Sequence, residues 1–284
     1  MGTVGMGLAC LKRRLGPVVG VVVLLLAAAL SGPAKAQATG GDGGGGRLEA
    51  VRARAELHVC IWPEYFAISY RNPRTDRYEG LDIDMARHLA GRLGVRLAFV
   101  ATDFARFMDR LEAGDCDVAM FAVGITPRRQ ARVAFTRPYL ASRVYAVAMR
   151  DSITVRQWED IDRPGMMVAV AAGTYMEPLM RETLRHAGLL VVRAPATREA
   201  ELEAGRADVF MSDFPYTRRM GLVHDWVRVI EPPGRFGETP YAYAVAQGDA
   251  AWLALVDNFV AAVMADGTLA RAAERHGLSP IVVR

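Results

Sequence analysis

Thr126-Pro127-Arg128-Arg129 follows an apolar run, Val118 to Val123, and reads as the start of a helix. Thr126 suits the N-cap and Pro127 the first helical position. Arg129 then falls in the first turn, where a cation opposes the helix dipole at a cost of up to about 1 kcal/mol. An anion held at that spot reverses the sign, using free backbone N–H groups and a guanidinium fork together. A solvated surface arginine is the other reading of the same position. Gly173-Thr174-Tyr175-Met176-Glu177 follows a second apolar run. Thr174 and Glu177 have capping-box spacing, so Glu177 is either a cap or an acid–base group. Met211-Ser212-Asp213-Phe214-Pro215 ends a third. Asp213 is either the N-cap of a helix that Pro215 opens or a ligand group at a strand's carboxyl end. One cation and one anion at strand ends in different halves of the chain can clamp a zwitterion.

The elements that must hold these residues follow from periodicity. Leu57 to Ile61 reads as a buried strand, and Ile83 to Leu93 as a helix with one apolar face, ended by Gly94. Val95 to Val100 is a strand, Phe104 to Ala113 a helix with Asp103 at its N-cap, and Val118 to Val123 a strand. The rhythm repeats. Met166 to Ala171, Leu189 to Arg193 and Val209 to Met211 read as strands; Tyr175 to Ala187 and Arg198 to Ala204 read as helices between them. Tyr241 to Ala246 is a further strand, followed by helices Trp252 to Met264 and Leu269 to His276. Two α/β units with parallel sheets are expected, facing each other across a cleft at their strand ends.

The 284 residues carry a formal charge of +4, but the charge is unevenly placed. Lys12, Arg13, Arg14 and Lys35 sit in a leading segment without a single acid; the rest of the chain holds 31 basic residues, all Arg, and 31 acidic ones. A formally neutral body does not fit phosphate tracking, so no nucleic-acid partner is expected. Lys12-Arg13-Arg14, the apolar run Val18 to Leu30 and Ala34-Lys35-Ala36 form the three parts of a secretory signal. Residues 1–36 are read as a signal peptide cut after Ala36, residues 37–47 as a Gly-rich linker, and the destination as the periplasm. Cys60 and Cys116 can pair in an oxidising compartment or serve as small buried hydrophobes; the reading leans to unpaired thiols. The five His residues show no metal-ligand spacing, so neither a metal nor another cofactor is expected.

An ordered set of motifs runs through most of the remaining chain. It comprises Tyr78-Glu79-Gly80-Leu81-Asp82-Ile83-Asp84, then Gly124 to Gln130, then Phe135-Thr136-Arg137-Pro138-Tyr139. Trp158-Glu159-Asp160-Ile161, Ala172-Gly173-Thr174 and Ala204 to Val209 continue it. In this the chain resembles the periplasmic amino-acid-binding proteins of ABC importers. The resemblance implies an α/β, two-lobed periplasmic binding protein (type II) fold with the ligand cleft between the lobes. It implies a small-molecule ligand, an ABC transporter permease as partner, and a monomer. By the same resemblance Arg129 clamps the ligand α-carboxylate, Asp213 takes the α-ammonium, Tyr65 and Phe104 stack on the ligand, and backbone groups of Gly124, Thr174 and Tyr175 complete the carboxylate site. Lobe 1 is expected to take residues 48–141 and 241–284, and lobe 2 residues 142–240, because the strand Tyr241 to Ala246 precedes two helices that need a sheet to cover.

The chain departs from that pattern in places. Trp62 stands where members that bind basic amino acids carry an acid, and Met176 replaces a polar residue. With Tyr65, Phe104, Phe121 and Tyr175 these make an apolar, aromatic cleft. It favours an apolar or aromatic amino acid or an amine over Lys, Arg or Glu. The fold also hosts exported cyclohexadienyl dehydratases, whose catalytic Glu stands two residues after the Thr of the Gly-Thr turn. Here that place is Met176, and Glu177 is rotated from it by about 100°. A binding protein is therefore expected rather than an enzyme.

Overall fold

The computed structural model describes residues 46–283. The expected signal peptide and most of the linker lie outside the described residues. Helix α1 (Arg47–Arg54) leads into β1 (Glu56–Ile61). A short hairpin, β2 (Tyr70–Arg71) and β3 (Tyr78–Glu79), precedes α2 (Leu81–Leu93), β4 (Arg96–Ala101), α3 (Phe107–Ala113) and β5 (Val118–Gly124). Then come α4 (Pro127–Gln130), β6 (Val133–Phe135), β7 (Leu140–Ser142) and β8 (Val144–Met149). The second unit runs through β9 (Met167–Ala171), α5 (Met176–Thr183), β10 (Gly188–Val192), α6 (Arg198–Glu203), β11 (Val209–Asp213), α7 (Phe214–Val223) and β12 (Val227–Ile230). β13 (Thr239–Ala246), α8 (Ala250–Ala265) and α9 (Thr268–Arg275) follow.

Two sheets define two lobes. The first has the order β4-β1-β5-β13-β6, with β7 also on β13; the second has the order β10-β9-β11-β8-β12. Each has three parallel strands at one side: β4, β1 and β5 in the first, β10, β9 and β11 in the second. Antiparallel strands extend both, β13 against β5 and β8 against β11. The sheets are therefore mixed, not purely parallel as the strand–helix alternation suggests. The strands β6, β7, β8 and β12 carry no strong alternation of their own and are set by pairing. β13 returns to the first sheet, so that sheet draws on both ends of the described chain. Trp252, Val256, Phe259 and Val260 of α8 and Leu269 of α9 join the core beneath it.

Local signals act as expected at many helix ends. Gly94 takes the left-handed conformation (φ 68°) and its N–H returns to Ala90 O. Helix α3 begins at Phe107, three residues later than Phe104. Asp103 instead caps the preceding turn, accepting from Ala105 N and Arg106 N at 2.9 Å each, so Phe104 sits in that turn. The lean to free thiols is corrected: Cys60 and Cys116 form a disulfide, with Cα atoms 5.6 Å apart. β1 and β5 are parallel neighbours, Cys60 opposite Ala119, which lays the segment just before β5 alongside β1, Asp117 N donating to His58 O. Pairing of strands 56 residues apart is a tertiary fact that the spacing of two cysteines does not carry.

Candidate functional site

β5 ends at Gly124 and α4 starts three residues on, so Arg129 lies just beyond the sheet's carboxyl edge. Thr126 caps the turn, its Oγ1 accepting from Arg129 N at 3.3 Å. The side chain turns inward and is buried. Its Nη1 donates to Gly124 O (2.8 Å) in its own lobe and its Nη2 to Gly173 O (3.0 Å) in the other. The guanidinium lies over the rings of Phe104 (5.2 Å) and Phe107 (5.5 Å). Burial lowers its pKa to about 10, so it stays cationic at neutral pH. Both hydrogen-bond partners are uncharged carbonyls, which orient the cation without neutralising it.

Asp213 ends β11 and is the N-cap of α7, accepting from Tyr216 N at 3.3 Å through Oδ1. Its two sequence readings are compatible, because the two oxygens divide the work. Oδ2 faces lobe 1, where the hydroxyls of Tyr65 and Tyr241 (2.8 Å) both donate to it. Burial pushes the Asp213 pKa up, and the same burial pushes both tyrosines well above the usual phenol range. The tyrosines therefore remain donors, and their hydroxyls, with Tyr216 N, favour the carboxylate form of Asp213 against that burial.

Aromatic rings wall the space between these groups. Trp62 lies 5.4 Å from Phe104 and 5.3 Å from Tyr65, centroid to centroid, and is parallel to Tyr216 at 6.3 Å. Tyr175 reaches across to Tyr241, hydroxyl to hydroxyl at 3.3 Å. The enclosed cavity is about 20 Å³, the room of one or two waters. A wider cavity of about 630 Å³ adjoins it and shares Trp62, Phe104, Thr174, Arg198 and Tyr216.

The structure brings Arg129, Asp213, Tyr65, Phe104, Trp62, Thr174 and Tyr175 to this one cavity. Gly124 stands behind them as the carbonyl that holds Arg129. Phe121 packs 5.0 Å behind Phe104 and is fully buried, so it supports the wall without forming it. Thr174 turns back on its own turn: its Oγ1 donates to Ala171 O (2.8 Å), and so does its N–H (3.3 Å). No Thr174–Glu177 capping box forms, since Glu177 accepts instead from Gly173 N (3.1 Å) and pairs with Arg181. Five lining residues escape the sequence reading: Ala122, Arg198, Ser212, Tyr216 and Tyr241. Arg198 directly follows Thr197, the N-cap of α6, and so is a cation in the first turn of a helix, as Arg129 is three residues after Thr126. Tyr241 is opposite Gly124 on an antiparallel strand, so it is the start of β13, not its end, that lies at the site. No cluster of His, Cys, Asp and Glu able to hold a metal occurs among the described residues.

Two lobes that meet at a cavity lined by charged groups from both sides define a solute-binding architecture. The chain belongs to the bacterial extracellular solute-binding proteins, family 3, whose pattern matches residues 57–279. It is 28% identical over 205 residues to a cyclohexadienyl dehydratase of Pseudomonas aeruginosa, covering 72% of this chain and 76% of that one. An L-cystine-binding protein of Escherichia coli is 25% identical over 232 residues, 81% of this chain and 85% of the relative. Among solved structures, an ancestral amino acid-binding protein described as a precursor of cyclohexadienyl dehydratase superposes with a TM-score of 0.73. It is 29% identical, and the match covers 80% of this chain and 98% of that one.

Proposed function

We propose that this protein captures a small amino acid in the periplasm and delivers it to an ABC importer. Residues 48–141 with 241–284 act as one jaw and 142–240 as the other. The observation that carries the reading is the pairing of Arg129 with Asp213. A buried guanidinium held only by carbonyls and a buried carboxylate held by hydroxyls lie on opposite lobes of one aromatic-walled cavity. Arg129 takes the α-carboxylate as a bidentate pair, and Asp213 takes the α-ammonium. Trp62, Tyr65, Phe104 and Tyr175 pack on the rest of the ligand. A thermal-shift screen of the purified mature chain against L-amino acids tests this. A ligand at 100 times its Kd stabilises by ~2.7 kcal/mol; no shift with any amino acid overturns the reading.

A second reading is an exported dehydratase acting on a cyclohexadienyl substrate, favoured by the likeness to the Pseudomonas aeruginosa enzyme. It is the weaker one on chemistry. Met176 forms part of the cavity wall and cannot transfer a proton, while the Glu177 carboxylate is engaged by Gly173 N and Arg181. Phenylpyruvate released with turnover from prephenate would establish this second reading instead.

A further inference from the structure

We propose that Arg198 receives a second carboxylate of the ligand, so that the ligand is a dicarboxylic amino acid of net charge −1. This rests on the amino-acid reading above and narrows it. Arg198 is the first residue of α6, with Thr197 as N-cap accepting from Ala200 N at 3.2 Å. Its side chain is only 6% exposed. Nη1 donates to Met211 O (2.7 Å) and Ser212 Oγ (3.4 Å), and the guanidinium lies 4.5 Å over the Tyr216 ring and 5.1 Å over Phe210. Nε and Nη2 reach no acceptor among the described residues. The adjacent Glu199 lines only the wider cavity, its Oε1 buried and without a partner among the described residues, and it makes no ion pair with Arg198.

The charges that line the small cavity do not balance, Glu199 lying outside it. Arg129 and Arg198 are two cations; Asp213 is one carboxylate. A plain zwitterion satisfies Arg129 and Asp213 and leaves Nε and Nη2 of Arg198, which lines both cavities, without a ligand partner. A side-chain carboxylate closes the count and offers the two acceptors that a guanidinium fork matches. The aromatic wall accepts the methylenes between the two carboxylates. This revises the preference for an apolar ligand drawn from Trp62 and Met176, which did not include Arg198.

Calorimetry on the mature chain with L-aspartate, L-glutamate and L-2-aminoadipate, beside L-asparagine, L-glutamine and L-norleucine, tests the proposal. At least one dicarboxylic amino acid should bind about 100-fold more tightly than its neutral counterpart, the loss expected when a buried charge pair loses one partner. Arg198→Gln should collapse that ratio to about threefold or less, and Arg198→Lys should keep part of it. Arg198 also holds Met211 O, so Arg198→Gln can fail to fold; the wild-type acid-to-neutral ratio then decides alone. A neutral amino acid bound as tightly as every dicarboxylic one overturns the Arg198 proposal and leaves amino-acid binding standing. Binding of none of the six overturns the Arg198 proposal, and the amino-acid reading falls with it only if the full thermal-shift screen also gives no shift.

Discussion

Arg128 and Arg129 are neighbours with opposite surroundings: the first is exposed, the second buried against two carbonyls and two phenyl rings. They give an internal comparison for the amino-acid reading. Arg129→Ala leaves a ligand carboxylate buried without its partner, at a cost of about 3–5 kcal/mol, or roughly two to four orders of magnitude in affinity. Arg128→Ala should change affinity by less than about threefold. Arg129→Lys should also bind poorly, because one ammonium cannot hold Gly124 O, Gly173 O and a planar carboxylate at once. Calorimetry with any amino acid that gives a thermal shift makes the comparison; equal small losses from both alanines would remove Arg129 from the site.

The elements are tied together beneath the site by groups that never touch it. Asp82, in the first turn of α2, is fully buried and accepts from Ala122 N (2.8 Å), Tyr139 OH (2.6 Å) and Tyr243 OH (2.9 Å). Ala122 needs the help, since it sits inside β5 with φ 50° while lining the cavity. Burial raises the Asp82 pKa to about 7 from the ordinary 3.8, against the pull of those donors. The folded state thus binds this proton more tightly than the unfolded chain. The stability it confers is whole below about pH 4 and is lost as pH rises to about 7. In Asp82→Asn the amide oxygen keeps Ala122 N and the amide nitrogen can donate to Tyr243, so this loss should vanish. Denaturant unfolding of both proteins between pH 5 and 8 measures it: the wild type should lose stability relative to the variant across that window, and parallel curves would contradict the assignment. The Cys60–Cys116 bridge is a second tie, closing a 56-residue separation between β1 and the start of β5. Reduction should lower unfolding stability by about 2–4 kcal/mol, seen as a lower urea midpoint with dithiothreitol.

At the scale of the whole molecule, the lobes meet through the residues assigned to the ligand. Arg129 reaches Gly173 O, and Tyr65 and Tyr241 reach Asp213. A cavity of about 20 Å³ cannot admit an amino acid unless these contacts part. On the two-jaw reading proposed above, a hinge at the crossings from β7 to β8 and from β12 to β13 would part them. Small-angle scattering should give a smaller radius of gyration at ligand saturation than without ligand; an unchanged radius contradicts hinge closure. Gly173 is a point of close approach between the lobes. A Cβ there would lie 2.7 Å from the Ala105 backbone, and its φ of 76° suits glycine. The φ strain in Gly173→Ala is the same open or closed, whereas the collision exists only when closed. The variant should therefore bind about tenfold or more weakly and stay larger in scattering with ligand present. Wild-type affinity and radius would show that the turn yields.

Much of this protein was legible from local chemistry alone. The strand–helix alternation, Gly94, the Thr126-Pro127 helix start and the Asp213 cap follow from steric and hydrogen-bonding preferences that act over a few residues. The candidate residues at strand ends followed from the rule that parallel strands present their carboxyl edges to a ligand, together with a family likeness in ordered motifs. What the sequence did not decide was who faces whom. Phe121 and Phe104 are both aromatic, yet Phe104, in the turn after β4, is wall and Phe121, inside β5, is the support packed behind it. Tyr241 enters the site because β13 runs antiparallel, and Cys60 finds Cys116 because β1 and β5 pair. Arg198 lay in view beside a helix cap, but its meaning depends on a charge count around a cavity built from both lobes. Short-range preferences are written residue by residue; strand pairing, side-chain facing and the balance of buried charge exist only once distant segments have packed together.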